Sequence, residues 1–215
     1  MRGRFLIPWL ASVPFAWAQG PSTPPSPPTE SVQDQIIRAA EKHLGKSYVM
    51  GGRDGRAGCL DGKRRVRCPQ GIDCLSLIYF AYQDVLGTPW RKFSVVPSVL
   101  LERRELGAPV PGVEGVLRQD LDPAKLRKGD VLFFLLRDYN LGADVPLLVR
   151  GEDRYGVWHT GLVYSVESGQ AKVLHAKPGF EVRIDRLEDV LFDGVIALRL
   201  PPDARPKPAP RTKSP

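Results

Sequence analysis

Cys74, His159 and His175 are the residues whose types could work together in covalent chemistry. Cys74 stands in "GIDCLSLIYFAYQ", residues 71–83, directly after an aspartate and directly before an apolar run. Asp73 is a good helix N-cap and Gly87 a good stop, so the spacing predicts a helix over 74–86 with the cysteine in its first turn. There the unpaired backbone N–H groups and the positive end of the helix dipole favour thiolate, the reactive form. A partner imidazole would favour it further. The same position also suits a small buried thiol, and position alone does not decide between them.

The chain has three histidines, and two of them fall in consecutive predicted strands. His159 lies in "GVWHTGLVYSV" (156–166) and His175 in "QAKVLHAK" (170–177). A three-residue turn at Glu167-Ser168-Gly169 sets Gly161 opposite His175 and His159 opposite Lys177. The two rings are then diagonal neighbours on one face, their backbones roughly 7–8 Å apart. A two-residue Ser168-Gly169 turn puts them on opposite faces. The chemistry therefore predicts the longer turn. In that arrangement Cys74 attacks, His159 exchanges the proton, and His175 orients His159. The remaining histidine, His43, falls in the last turn of a predicted helix, where an imidazolium suits the dipole, and reads as a surface or terminus residue.

The elements that must position these groups follow from periodicity. Residues 31–44 read as a helix capped by Ser31, with Gln33, Ile36, Ile37, Ala40 and Leu44 on one face. Residues 46–72 are irregular and glycine-rich. The 74–86 helix is apolar around most of its circumference, as a buried central helix is. A third helix is expected over 95–106. Strands follow at 128–136, 156–166, 170–177, 180–187 and 193–200, linked as an antiparallel meander. Helices first and strands later give an α+β domain with about five strands over residues 31–200.

The two ends read differently. Residues 1–18 combine Arg2 and Arg4, an apolar run and Ala16-Trp17-Ala18, the pattern of a cleaved secretory signal peptide. The run is broken by Pro8 and Pro14 and is shorter than the ~20 residues a spanning helix needs, which argues against an uncleaved anchor and against stable membrane insertion. Residues 19–30 form a Pro/Ser-rich linker, and 201–215 a Pro-rich basic tail expected to be disordered. The formal charge is +7; without Arg2 and Arg4 it is +5, and the tail alone carries +3. The tail offers contact with an anionic surface, or is simply solvated. Basic and aromatic residues do not interleave in a stripe, which argues against nucleic acid.

Three cysteines in an exported chain suggest one disulfide and one leftover thiol. Cys59 and Cys68 flank a polar loop and are the candidate pair. A Cys68–Cys74 bridge is the alternative and would block the nucleophile. A zinc site fits less well, because the 59/68 spacing matches no common knuckle and no histidine adjoins it.

"GIDCLSLIYFAYQ", "LRKGDVLFF", "WHTGLVYS" and "VLHA" occur in that order. Together they resemble the NlpC-type family of cell-wall cysteine peptidases across residues 33–200. Asp73-Cys74, Gly129-Asp130 with Phe133-Phe134, His159-Thr160-Gly161 and His175-Ala176 match the family's boxes. Tyr164 falls one place later than the family's tyrosine. "LGKSYVMGG" (44–52) resembles a segment whose tyrosine helps form the oxyanion site, here Tyr48. The resemblance implies a papain-like fold, a Cys74–His159–His175 triad acting through a thioester, and no cofactor or metal. It implies hydrolysis of peptidoglycan stem peptides, typically between D-γ-glutamate and a diamino acid, in the periplasm or cell envelope. It also implies substrate-amine contacts at Asp73 and at the following serine position. Here Leu75 takes that place and Ser76 replaces a glycine, which puts amine selection in question. An amidase or acyltransferase on the same fold, or a vestigial wall-binding protein, are the competing readings. Segment 137–157 is longer than usual and reads as a lid, a substrate wall or a surface excursion. Arg53, Arg56, Lys63, Arg64, Arg65 and Arg67 crowd the loop before Cys74, either attracting carboxylates or merely solvated.

Overall fold

The structure, a computed structural model, describes residues 30–61, 64–89, 94–139, 142 and 144–208. The expected signal peptide, all of the linker but Glu30, and the last seven residues of the tail lie outside the described residues. Residues 201–208 run past the end of the central helix, where the Lys207 N–H donates to the Val85 carbonyl at 2.8 Å. That part of the tail is therefore tied to the domain.

Helix α1 (Val32–Glu41) starts at Ser31, whose hydroxyl oxygen accepts the Asp34 N–H at 3.0 Å. It stops short of the expected residue 44, because residues 42–45 turn away and Gly45 takes φ 77°. His43 falls in that turn. It is buried and packs against Phe80 with ring centroids 5.9 Å apart, rather than lying at the surface. Burial pushes its pKa down, so a neutral ring replaces the expected imidazolium.

The segment 46–72, expected to be irregular, contains a small hairpin of β1 (Ala57–Asp61) and β2 (Arg64–Arg67). Cys59 and Cys68 are joined across it, Cα–Cα 5.0 Å, which leaves Cys74 as the free thiol. Helix α2 (Cys74–Leu86) has the expected bounds, with Asp73 as N-cap and Gly87 in the left-handed conformation at φ 78°. Helix α3 (Pro97–Glu102) is shorter than the 95–106 expectation, and Arg104 at φ 52° follows its end.

The rest is a seven-stranded sheet in which every pairing is antiparallel. Its strands are β3 (Ala108–Leu117), β4 (Val131–Arg137), β5 (Leu148–Arg150), β6 (Asp153–Glu167), β7 (Gln170–Ala176), β8 (Val182–Arg186) and β9 (Gly194–Arg199). Their order is β3-β9-β4-β6-β7-β8, with β5 pairing only to β6. The fold is α+β, as the sequence predicts, but with two more strands than the expected five. β3 was hidden by Pro109, Pro111 and two glycines. It lies at the sheet edge, where a missing N–H breaks no second ladder. β5 is only three residues long.

α2 is buried on nearly all sides and packs between α1 and strands β6 and β7. Strand β4 is buried on both faces: Val131, Phe133 and Leu135 join the helix-side core, while Leu132 and Phe134 join a second core on the other face. This explains its unbroken apolar run. Asp130, just before β4, is 1% exposed. Its oxygens accept Arg199 Nε at 2.7 Å and Nη2 at 2.6 Å, and the Arg127 N–H at 2.8 Å. The Gly-Asp pair thus locks β4 to β9.

The β6–β7 hairpin reaches the predicted register by a different route. The turn is the two-residue one: Glu167 pairs with Gln170, and Ser168 and Gly169 take φ 49° and 78°. Tyr164 is then skipped in a β-bulge between the Val163–Val173 and Ser165–Lys172 pairs. Beyond the bulge the ladder runs Val163–Val173 and Leu162–Leu174. Continued, it sets Gly161 opposite His175. The turn alone separates the histidines to opposite faces, and the bulge restores them to one. Tyr164, one place late against the motif, is the residue the bulge absorbs.

Replacing Arg199 with methionine leaves the Asp130 carboxylate buried without its cation. Urea denaturation should show a loss of about 3 kcal/mol, the cost of breaking one side of a buried pair. A loss below about 0.5 kcal/mol, the range of ordinary surface changes, would contradict this role.

Candidate active site

The helix start is built from both sides. Asp73 and Ser76 form a capping box: the Ser76 N–H donates to Asp73 Oδ1 at 2.7 Å, and the Asp73 N–H to Ser76 Oγ at 3.1 Å. The buried Arg53 guanidinium pairs with Asp73 Oδ2, and also donates to Ser76 Oγ at 3.0 Å and to the Gly52 carbonyl at 3.0 Å. The Ser76 hydroxyl lies 2.5 Å from that same carbonyl. Gly52 has to be glycine here, because a Cβ would stand 2.7 Å from the carbonyl oxygens of Gly71 and Val49. Asp73 and Ser76 are thus buried and engaged within the protein. They hold the helix start, where the sequence suggested substrate contact. Arg53, grouped by sequence with the basic loop, is a buried partner of Asp73. Of that loop's other residues, Arg56 lies over the Phe80 ring at 3.8 Å, and Lys63 falls outside the described residues.

Cys74 is the first residue of α2 and is half-buried. Burial, then the neighbouring Asp73 carboxylate, push its thiol pKa up, while nearby Thr160 and the backbone of Leu75 pull it back; Thr160 Oγ1 itself makes no hydrogen bond. The sulfur thus lies near the residue that follows His159. Thr160 pairs with Phe133 and shares the helix side of β6, while His159 pairs with Phe134, lies over its ring at 5.9 Å and so belongs to the other face of the sheet, not the helix side that a Cys74–His159 pair requires.

The two histidines meet directly. His159 Nε2 and His175 Nδ1 are 2.7 Å apart, both residues are buried, and their rings meet edge to face. Gly161 makes room for this contact: a Cβ there would stand 3.2 Å from His175 Cβ and 2.6 Å from Val173 Cγ1. Trp158 flanks His159 with ring centroids 5.0 Å apart, held by an indole N–H to the Leu191 carbonyl at 2.8 Å. His159 Nδ1 is buried and makes no hydrogen bond, to Cys74 or to any other group. Burial, and then the neighbouring His175, push the His159 pKa down to about 3. Burial also lowers that of His175, against the opposing pull of Asp185.

Tyr48 is half-buried near the helix start, its strand-like segment bridged to Ile72. Its phenol rests on Met50 Sδ at 3.6 Å. Burial, and then the nearby Cys74, Asp73 and Tyr139, push its pKa up to about 12. It therefore stays a proton donor at neutral pH. Tyr139 belongs to the long 137–157 segment and is exposed. Asp144 in the same segment anchors it to α3, accepting the Ser98 N–H at 3.0 Å and the Ser98 hydroxyl at 2.5 Å.

Sequence reasoning gave Arg53 a different role and missed Asp185. Asp185 carried one usable signal, its even spacing from Arg183 in the alternating strand "VRIDR". Among the described residues no group of three or more His, Cys, Asp or Glu is placed to hold a metal ion, and no helix is long and apolar enough to cross a membrane. A cavity of about 180 Å³ lined by Arg118, Leu121, Lys172, Leu187 and Phe192 contains none of these groups.

A comparison with protein-family models finds no match, and none of the curated proteins matches the sequence. Solved structures do match in part. Two variants of the Resuscitation Promoting Factor Interacting protein RipA, one mutated at a cysteine and one at a histidine, align with TM-scores of 0.43 and 0.42 at 18% and 19% identity. Each alignment covers 79% of this chain and 62% of the other, so this chain spans less than two thirds of those structures. RipD from Mycobacterium tuberculosis, described as a non-catalytic NlpC/p60 domain protein adapted to peptidoglycan binding, aligns at a TM-score of 0.40 and 19% identity over 80% of this chain and 98% of its own.

The lowered His159 pKa has a consequence for stability. Unfolded, the ring titrates near ~6.5; folded, it does so near 3. Between those values the unfolded chain binds the extra proton, so stability is full above about pH 6.5 and falls as the pH drops toward 3. Denaturation at pH 7 and pH 5 should show wild type losing more stability than His159→Gln. Equal losses would contradict the burial of a neutral ring.

Proposed function

We propose that the protein is an exported cysteine peptidase of the cell envelope that hydrolyses peptide stems of peptidoglycan. The bond we propose joins D-γ-glutamate to the diamino acid. The observation that supports this best is the His159–His175 contact. It engages one nitrogen of His159 and leaves the other bare. The order and content of the four sequence boxes support the substrate class.

In this reading substrate entry brings the sulfur and His159 Nδ1 together, as catalytic hydrogen bonds commonly tighten only in the complex. The thiol proton passes to Nδ1 and sulfur attacks the carbonyl carbon. The tetrahedral oxyanion is held by the Cys74 backbone N–H, which the helix itself cannot satisfy, and by the Tyr48 hydroxyl. Collapse forms the thioester, and the amine leaves with the proton from His159. Water then attacks, its proton going to His159 and back to sulfur, which releases the acid and the free thiol.

A second reading, binding of wall peptides without turnover, has one observation in its favour. Burial pushes the thiol up and the imidazole down, against an ion pair at rest. Mass spectrometry of purified muropeptides separates the two. Peptidase action predicts new fragments with wild type and a rate lower by about 10³-fold or more with Cys74→Ala. Binding to sacculi without fragments would overturn it, as would full activity in Cys74→Ala.

A further inference from the structure

Asp185 lies behind the two histidines and faces the second nitrogen of His175. We propose that Asp185 is a positioning residue whose carboxylate, through His175, fixes the tautomer of His159 with the proton on Nε2 and Nδ1 bare. This rests on the peptidase reading for its use, though not for its geometry.

The chain of contacts is continuous. Asp185 Oδ2 is 3.3 Å from His175 Nε2, and His175 Nδ1 is 2.7 Å from His159 Nε2. An ionised carboxylate only accepts hydrogen bonds. It therefore requires the proton of a neutral His175 to be on Nε2. His175 Nδ1 is then an acceptor, which requires the proton of His159 to be on Nε2. His159 Nδ1 is left with its lone pair, which is what a general base for the thiol needs. With the directions reversed, Nδ1 would carry a proton and could not take one from sulfur. A neutral imidazole pair has no preference of its own, so the acid at the end of the chain sets the direction.

Asp185 is built for this role. Its side chain is 9% exposed, and Lys177 Nζ at 2.9 Å and Arg183 Nε at 2.7 Å donate to it. Burial alone would raise its pKa; the hydrogen bonds from Lys177 and then His175 outweigh that and keep it ionised at neutral pH. The β7–β8 register supplies the geometry, pairing His175 with Arg183 and Val173 with Asp185. The ionisable groups around the relay are Lys177 just after β7 and Arg183 and Asp185 on β8. When His159 takes the thiol proton, the Asp185 charge also offsets the two cations that would otherwise oppose an imidazolium.

The test uses the exported chain labelled with ¹⁵N-histidine. In wild type at neutral pH, the ¹⁵N shifts should show His159 and His175 both protonated at Nε2 and bare at Nδ1. Asp185→Asn keeps the shape and removes the charge, so folding is retained. It should shift those resonances and lower kcat on muropeptides by about 10–100-fold, the usual effect of removing a group behind a working histidine, with KM nearly unchanged. Asp185→Ala should do the same. The proposal is overturned if His159 carries its proton on Nδ1 in wild type, or if Asp185→Asn leaves shifts and kcat unchanged. If wild type cleaves no muropeptide, the peptidase reading fails, while the wild-type spectrum still decides the tautomer.

Discussion

The site depends on one hydrogen bond, 2.7 Å between two buried imidazoles. Its strength matters less than its direction. Neutral rings exchange donor and acceptor roles freely, and only one assignment leaves His159 able to accept a proton at Nδ1. Much of the surrounding sheet bears on that assignment. Gly161 lets the rings approach, the Tyr164 bulge sets them on one face, and the β7–β8 register brings an anion to the far side. The bond also explains the strong burial of His159. A ring that must stay neutral at rest is favoured by removal from water, and its charged form is the one disfavoured.

The helix start shows the opposing demand. A nucleophilic thiol benefits from N–H groups and partial positive charge, yet Cys74 stands next to a capping carboxylate that opposes thiolate. Arg53 answers this by pairing with Asp73 inside the protein, and Ser76 and Gly52 close the cluster. The same residues therefore secure the fold of the loop and moderate the electrostatics of the first turn. A resting thiol and a neutral imidazole that do not touch are the consequence. Substrate then has to bring the two together.

Much of this was legible in the sequence. Helix α2 was readable to the residue, because Asp73, the apolar run and Gly87 all point the same way. The α+β order and all five expected strands followed from the sequence pattern, although the last strand returns to pair between β3 and β4 instead of completing a meander beside β8. β3 was not legible, since its prolines read as a loop and only its edge position makes them acceptable. The His159–His175 pairing was predicted for the right face through the wrong turn; a bulge carries no local signature beyond Tyr164 being one place late. Asp73, Ser76 and Arg53 looked available to substrate because burial at a helix start depends on how closely a distant loop approaches. Asp185 escaped notice because its role exists only through the register of a neighbouring strand.

The most direct test of the central claim is the rate at which iodoacetamide alkylates Cys74 at neutral pH, compared between wild type and His159→Ala. If His159 Nδ1 is a bare base that reaches the sulfur, wild type should react about 100-fold faster, the lower end of general-base assistance. Equal rates in the two proteins would mean that the imidazole does not act on the thiol, and the account would be wrong at its centre.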